Sequence, residues 1–265
     1  MKHRRETNQI IAHVTKLSEM AIDRGDYVLS QEEQGRVDQL VEMRLRGVPL
    51  QQVLGEVDFL DLKLRLTKDV LIPRQETEIL AERIIESIDP GEGKVALDLC
   101  TGSGCIGLAV KKAFPQLKVI LSDISPMAAD IAKGNAELNG LDVEVLVAHL
   151  FEELGEVKID YLFCNPPYIP AHEFAMLDKS VKDHEPSIAL LGGSDGLMFY
   201  RMIEEDAKNC LNQNAQCFFE IGYNQGEGVK EVFSGAAWTN QRVYPDYASH
   251  DRFFFLEFSS LPGVK

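Results

Sequence analysis

One ten-residue stretch constrains this chain more than any other. Val95-Ala96-Leu97-Asp98-Leu99 has the apolar character and length of a buried strand, and Cys100-Thr101-Gly102-Ser103-Gly104 follows it at once. Ile106, Leu108 and Ala109 then open a helix pattern. From about residue 76 the pattern keeps alternating in this way. Candidate strands fall at 94–99, 117–122, 143–147, 159–164, 215–221, 241–244 and 252–258, with helices at 76–88, 104–113, 126–138 and 197–211. Alternation of this kind predicts an α/β fold, a mostly parallel sheet with helices on both faces. Only a short loop, Pro245 to Asp251, separates the last two strands, so a terminal antiparallel pair is expected.

The chain before residue 73 reads differently. Ile10, Ile11, Val14, Leu17 and Ala21 recur at helix spacing. Ser30 with Glu33 three residues on forms a capping box for a second helix, whose apolar stripe is Val37, Leu40, Val41 and Leu45. Gly47 and Pro49 stop it, and Pro49 to Leu54 begins another helical turn. Over residues 55–72 the period changes: Val57, Phe59, Leu62, Leu64 and Leu66 are extended in type, with Asp61 near a turn, which predicts a β-hairpin. The expected organisation is a helical domain over 1–54, a hairpin linker over 55–72 and an α/β domain over 73–265.

Charge and cysteine content exclude several classes of function. The net charge is -15, and residues 1–72 are close to neutral, so the acidic surplus lies in the α/β region. An acidic surface repels a phosphate backbone, which argues against nucleic acid and for a protein partner with a basic surface. Five cysteines without a CxxC pair fit neither a disulfide framework nor a zinc site, and buried free thiols are expected. No metal is called for. No apolar run is long enough to span a bilayer, and MKHRRETNQI lacks the apolar core of a secretory signal, so a cytoplasmic protein without a membrane partner is expected.

The glycine loop is a nucleotide-binding geometry. Glycines let the backbone approach a ligand, and the next strand, Val119-Ile120-Leu121, ends in Ser122-Asp123, an acid placed to accept ribose hydroxyl hydrogen bonds. Gly102, Gly104 and Gly107 also satisfy GxGxxG, which by itself would equally suggest NAD. Asp98 decides against NAD, because a carboxylate at that strand tip would repel a pyrophosphate. S-adenosylmethionine has no phosphate and carries cationic ammonium and sulfonium groups, which an acid favours.

The strand Ile159 to Cys164 runs directly into Asn165-Pro166-Pro167-Tyr168. This motif suits methylation of an amide nitrogen, whose lone pair is delocalised into its carbonyl. The Asn165 side-chain oxygen and the Pro166 carbonyl can accept hydrogen bonds from the two N–H groups, which positions the nitrogen and favours its developing positive charge. Pro166 and Pro167 fix the loop and remove competing donors. Tyr168 can present an aromatic face to the amide and to the sulfonium methyl. Asn165, Pro166 and Tyr168 are therefore the candidate catalytic residues, and Asn165, Pro166, Pro167 and Tyr168 the candidate substrate contacts.

With these motifs the sequence resembles the bacterial protein-(glutamine-N5) methyltransferases that modify class-1 peptide-chain release factors. The resemblance extends to Pro49-Leu50-Gln51 with Leu54-Gly55-Glu56, Leu71-Ile72-Pro73-Arg74 with Glu76-Thr77-Glu78, Glu185-Pro186 with Gly192-Gly193 and Asp195-Gly196-Leu197, Glu220 to Gly226, and Asp251-Arg252. It implies a small N-terminal helical domain that grips the release factor and a Rossmann-like, seven-stranded, S-adenosylmethionine-dependent domain that takes the glutamine of a Gly-Gly-Gln tripeptide. Carried over by position, Cys100, Thr101, Gly102, Ser103, Gly104, Asp123, Leu150 and Asn165 would line the cofactor site. The sequence departs from the family pattern at Cys100, where glycine is usual, at Gln75 for proline and at His149 for aspartate. A glutamine methyltransferase of a large-subunit ribosomal protein would share all this chemistry. An adenine-N6 methyltransferase of nucleic acid would need a base-flipping pocket, a basic track and usually a target-recognition domain, for which this chain with its acidic catalytic region has no obvious room. An intact Asn165-Pro166-Pro167-Tyr168 argues against a non-catalytic docking module.

Overall fold

The computed structural model describes residues 2–25 and 27–259. Four helices come first: α1 (Lys2–Thr15), α2 (Glu19–Arg24), α3 (Gln31–Leu45) and α4 (Leu50–Leu54). The stripe expected to run unbroken from Ile10 to Ala21 is interrupted. Lys16 adopts a left-handed conformation (φ 58°), and Ser18 caps a new helix by accepting from Ala21 N. Ile10 and Ile11 therefore reach the core of this region, whereas Leu17 faces solvent. The capping box of α3 forms as expected, with Ser30 Oγ accepting from Glu33 N and the Glu33 carboxylate accepting from Ser30 N. Val37 and Leu40 are buried, but Leu45, beside the helix end, is exposed.

The hairpin is β1 (Glu56–Phe59) paired antiparallel with β2 (Leu62–Arg65). It is more than a connector, because Phe59, Leu62 and Leu64 are buried in the same cluster as the helices on one face of the large sheet. The chain continues through α5 (Gln75–Ser87), β3 (Val95–Leu99), α6 (Cys105–Ala113), β4 (Lys118–Asp123), α7 (Pro126–Leu138), β5 (Glu144–Val147) and β6 (Ile159–Cys164). Two short helices, α8 (Ala171–Phe174) and α9 (Lys179–Lys182), precede α10 (Met198–Ala207), β7 (Leu211–Glu220), α11 (Gly226–Val232), β8 (Trp238–Pro245) and β9 (Asp251–Phe258). Asn135 on α7 ties the free edge of β2 down: its Oδ1 accepts from Arg65 N at 2.7 Å and its Nδ2 donates to Arg65 O at 3.2 Å.

The seven strands are ordered β5-β4-β3-β6-β7-β9-β8. Neighbours from β5 to β7 are parallel, and β9 runs antiparallel to both β7 and β8, as the short last loop predicted. One face is covered by α5, α6 and α7 with the hairpin, the other by α10 and α11. Helix α11 escaped the sequence reading because Gly226-Glu227-Gly228 has poor helix propensity. It forms because Val229 and the adjoining Phe233 are fully buried against the sheet. The helix expected over 197–211 stops at Ala207, and Leu211 already starts β7. Strand order reverses between β3 and β6, and Leu99 pairs with Cys164 at their carboxyl ends. Ligands of open α/β sheets bind beyond such a switch point.

Candidate active site

Two loops leave the sheet side by side at that point. The loop after β3 is held from beneath by Asp98, whose Oδ2 accepts from Thr101 Oγ1 at 2.6 Å and from Gly107 N at 2.9 Å. Gly107 is required there, because an added Cβ would lie 3.0 Å from Asp98 Cβ and would collide with Leu121. The other oxygen, Oδ1, is buried and has no hydrogen-bond partner, the one such side-chain atom among the described residues. Burial away from water pushes the Asp98 carboxyl up to about 7, against the pull of its hydrogen bonds from Thr101 and Gly107. An orphaned, desolvated acid beneath a ligand loop favours a cationic group bound above it through space, without touching it.

Asp123, at the end of β4, accepts from Gly102 N with Oδ2 and from Ser125 N with Oδ1, each at 2.9 Å. One lone pair per oxygen remains for a ligand hydroxyl. Cys100 and Leu150 both take left-handed backbone conformations, at φ 55° and 51°. Side chains other than glycine and asparagine seldom do so, and such strain gathers at ligand sites. The usual glycine at position 100 is thus explained by the backbone, and this chain keeps the same conformation with a cysteine.

The loop after β6 is positioned by distant residues. Asn165 Nδ2 donates to Thr77 Oγ1 on α5 at 3.3 Å. Thr77 Oγ1 donates to Glu220 Oε2 at the end of β7 at 2.7 Å, and Tyr168 Oη donates to Glu220 Oε1 at 3.0 Å. Gln225 Nε2 holds the Tyr168 carbonyl at 2.9 Å. Gly192 packs so closely on this loop that a Cβ would lie 2.7 Å from the Pro167 oxygen and the Tyr168 Cα. Glu185 accepts from Ile72 N at 3.1 Å and pairs with Arg74, joining two further motifs across the site.

Between the loops lies a cavity open to solvent. Cys100, Thr101, Gly102, Ser103, Asp123, Leu150, Asn165 and Pro167 all line it, so the structure brings both motifs to one space. Asp98, Gly104, Pro166 and Tyr168 do not line it. Asp98 lies under Thr101, Gly104 caps α6, Pro166 is buried, and the Tyr168 hydroxyl is turned to Glu220. His149 is on the wall. The sequence reading missed Thr77, Pro186, Ile188, Ala189 and Phe199, which also line the cavity, and Glu220, which braces Thr77 and Tyr168. Of these, Thr77, Pro186 and Glu220 sat inside recognised motifs without an assigned role.

The free cysteines fit the expectation of buried thiols in part: Cys105, Cys164 and Cys217 are buried, Cys100 and Cys210 half-buried.

Residues 74–182 match the family Methyltransferase small domain, and residues 2–55 match the PrmC N-terminal domain. A release factor glutamine methyltransferase from Chlamydia trachomatis serovar L2 is 45% identical over 86% of this chain and 79% of its own length. The protein of that name from Thermodesulfovibrio yellowstonii is 36% identical over 96% of this chain and 92% of its own. This chain belongs to the release factor glutamine methyltransferase family. It is accordingly a methyltransferase, and its α/β domain shares its fold with a methyltransferase from Pyrococcus furiosus (TM-score 0.57, 16% identity, 88% of this chain and 100% of that one). Leu71, Pro73 and Pro186 from two of the motifs shared with the release factor glutamine methyltransferases line the same cavity as Asn165, and Glu220 and Gln225 from a third hold Tyr168 in its loop. Among the described residues no helix is long and apolar enough to cross a membrane.

Proposed function

We propose that this chain transfers a methyl group from S-adenosylmethionine to the side-chain amide nitrogen, N5, of the glutamine in the Gly-Gly-Gln motif of class-1 peptide-chain release factors, and that it works in the cytoplasm. The observation that carries the proposal is that Asn165 shares one cavity wall with the glycine loop and Asp123. Methyl donor and amide acceptor can therefore meet there. The named relatives support the release factor over a ribosomal protein or an adenine base as substrate.

The cofactor would supply the electrophilic methyl group. Thr101 to Ser103 would receive its methionine part, with the Asp98 charge beneath the loop favouring its cationic groups, and Asp123 would bind the ribose hydroxyls. Asn165 Oδ1 and the Pro166 carbonyl would accept the two glutamine N–H bonds and hold the nitrogen for in-line attack. Those hydrogen bonds strengthen as the nitrogen becomes positive, so they lower the barrier rather than merely the ground state. After transfer the nitrogen loses a proton readily, and no strong base is required.

The test is methyl transfer from labelled cofactor to a purified release factor, with mass spectrometry expected to find one added methyl on the Gly-Gly-Gln glutamine. A methyl on lysine, arginine or a nucleic-acid base would overturn the proposal. The helical region is proposed to grip the release factor. Because the hairpin is buried in the sheet's core, a chain starting at Gly55 is expected to fold and bind cofactor yet lose most activity on the intact protein. A chain starting at Pro73 would lose Phe59, Leu62 and Leu64 from the core and is expected not to fold. Full activity of the Gly55 chain on whole release factor would remove the gripping role.

A further inference from the structure

The three-residue relay behind Asn165 has a direction. Glu220 is only 1% exposed, at the end of β7. Its carboxylate accepts one hydroxyl proton on each oxygen, from Thr77 and from Tyr168. A threonine hydroxyl has a single proton. Once that proton points to Glu220, Thr77 can only accept on its other side. It accepts from Asn165 Nδ2. The amide of Asn165 is thereby turned with its NH2 group toward α5, and its carbonyl oxygen is left for the cavity that Asn165 lines. Without such an anchor the two ends of an asparagine amide are nearly the same in shape, and a flipped amide would present donors where acceptors are needed.

We propose that Thr77 and Glu220 are positioning residues that set the Asn165 amide carbonyl-outward and so make the site select a neutral amide over a carboxylate. The inference rests on the glutamine reading above. With Asn165 fixed in this sense, the two groups proposed to meet the substrate, Asn165 Oδ1 and the Pro166 carbonyl, are both acceptors. A glutamine side chain brings two N–H donors to them. A glutamate brings two further acceptors and a negative charge, and each acceptor pair left facing another is a buried, unsatisfied contact. Glu220 is the source of this order because an ionised carboxylate can only accept, which fixes every proton in the chain leading from it. Burial holds the Glu220 carboxyl above the ordinary carboxylate range, against the pull of the hydrogen bonds from Thr77 and Tyr168 and of the nearby Arg252 charge. Arg252 is itself held by the Ile221 carbonyl and Asp246.

Thr77→Val keeps the shape of the side chain and removes the hydroxyl, and Thr77→Ser restores the hydroxyl. For Thr77→Val we expect kcat on a Gly-Gly-Gln release factor to fall at least tenfold, with cofactor affinity within about twofold of wild type. Thr77→Ser should keep at least half of the wild-type kcat. Binding is compared for a release factor and its Gly-Gly-Glu variant. Wild type should prefer the glutamine form by at least tenfold, and Thr77→Val should narrow that preference several-fold. A merely structural role for Thr77 would lower activity without moving the preference. The Asn165 side-chain NH2 resonances, assigned by their loss in Asn165→Asp, give a readout that needs no substrate. They should shift in Thr77→Val and stay in place in Thr77→Ser. Unchanged resonances, an unchanged glutamine preference, or a Thr77→Val protein as fast as wild type would overturn the relay. If wild type itself fails to methylate the release factor while the resonances respond as expected, the substrate reading fails and the relay stands.

Discussion

The two strand ends that meet at the cavity are built in opposite ways. At the end of β3 the supports are close in sequence: Asp98 reaches Thr101 and Gly107 within the same turn, and Asp123 caps Gly102 from the next strand. At the end of β6 almost every support is remote. Thr77 comes from 88 residues before Asn165, and Glu220 meets Thr77 across 143 positions. The first end is a backbone cradle with an unsatisfied acid beneath it, suited to receive a cationic ligand. The second is a closed side-chain network with its donors already committed, suited to orient one functional group. Binding and chemistry are thus divided between neighbouring strands, and the division can be attacked at either end.

The largest effect is expected at the β6 end. Asn165→Ala removes one acceptor for the amide, and loss of a preorganised contact of this kind costs about 3–4 kcal/mol, or roughly 10²–10³ in kcat. Cofactor affinity by calorimetry should change little. A parallel loss of cofactor binding would show that the two ends are not separable. Asp123→Ala should do the reverse. Losing a charge-assisted hydrogen bond costs about 1.5–3 kcal/mol, so cofactor binding should weaken by about tenfold or more while kcat at saturating cofactor is largely kept. Equal binding by mutant and wild type would remove Asp123 from the ribose role.

Asp98→Asn tests the acid under the loop through stability. An acid whose folded pKa lies above its unfolded value makes the folded state bind the extra proton. Its contribution is present below the ordinary carboxylate range and is lost as pH rises from about 4 toward the value of about 7 in the fold. Asparagine cannot ionise, so the melting temperature of Asp98→Asn minus that of wild type, both ligand-free, should grow across that window, at about 2–4 °C for each kcal/mol recovered. The same variant should bind cofactor less tightly. A difference that stays flat with pH would mean that Asp98 is not the strained acid described here. The smallest effect is expected for Cys100→Gly. Glycine accepts the left-handed backbone freely but loses more entropy on folding, so the two terms nearly cancel, to within about 1 kcal/mol. Cofactor affinity should be unchanged. A large loss of cofactor binding would give the Cys100 thiol a role of its own.

Much of this protein was readable from local pattern. The strand–glycine–helix unit, the capping box at Ser30 and the antiparallel end of the sheet each depend on residues a few positions apart, where spacing maps directly onto geometry. Where that reading failed, a longer-range term had overruled it. The stripe through Ile10 and Leu17 broke because Ser18 offered a new cap, and α11 formed against its glycines because Val229 and Phe233 could be buried. Position in a motif likewise announced that Glu76-Thr77-Glu78 and Glu220-Ile221-Gly222 mattered, without saying what they did.

The sequence by itself therefore determined the α/β class, the succession of the seven strands and the two loops that face the cavity, because hydrophobic period, glycine placement and proline placement act over single turns and strands. Only the tertiary structure decided that Asp98 lies beneath the loop instead of on the cavity wall, that Tyr168 turns to Glu220, and that Thr77 orients Asn165. Those outcomes depend on which groups are desolvated together and which single proton each hydroxyl can give, and such pairings exist only after residues from distant parts of the chain have been packed around one point.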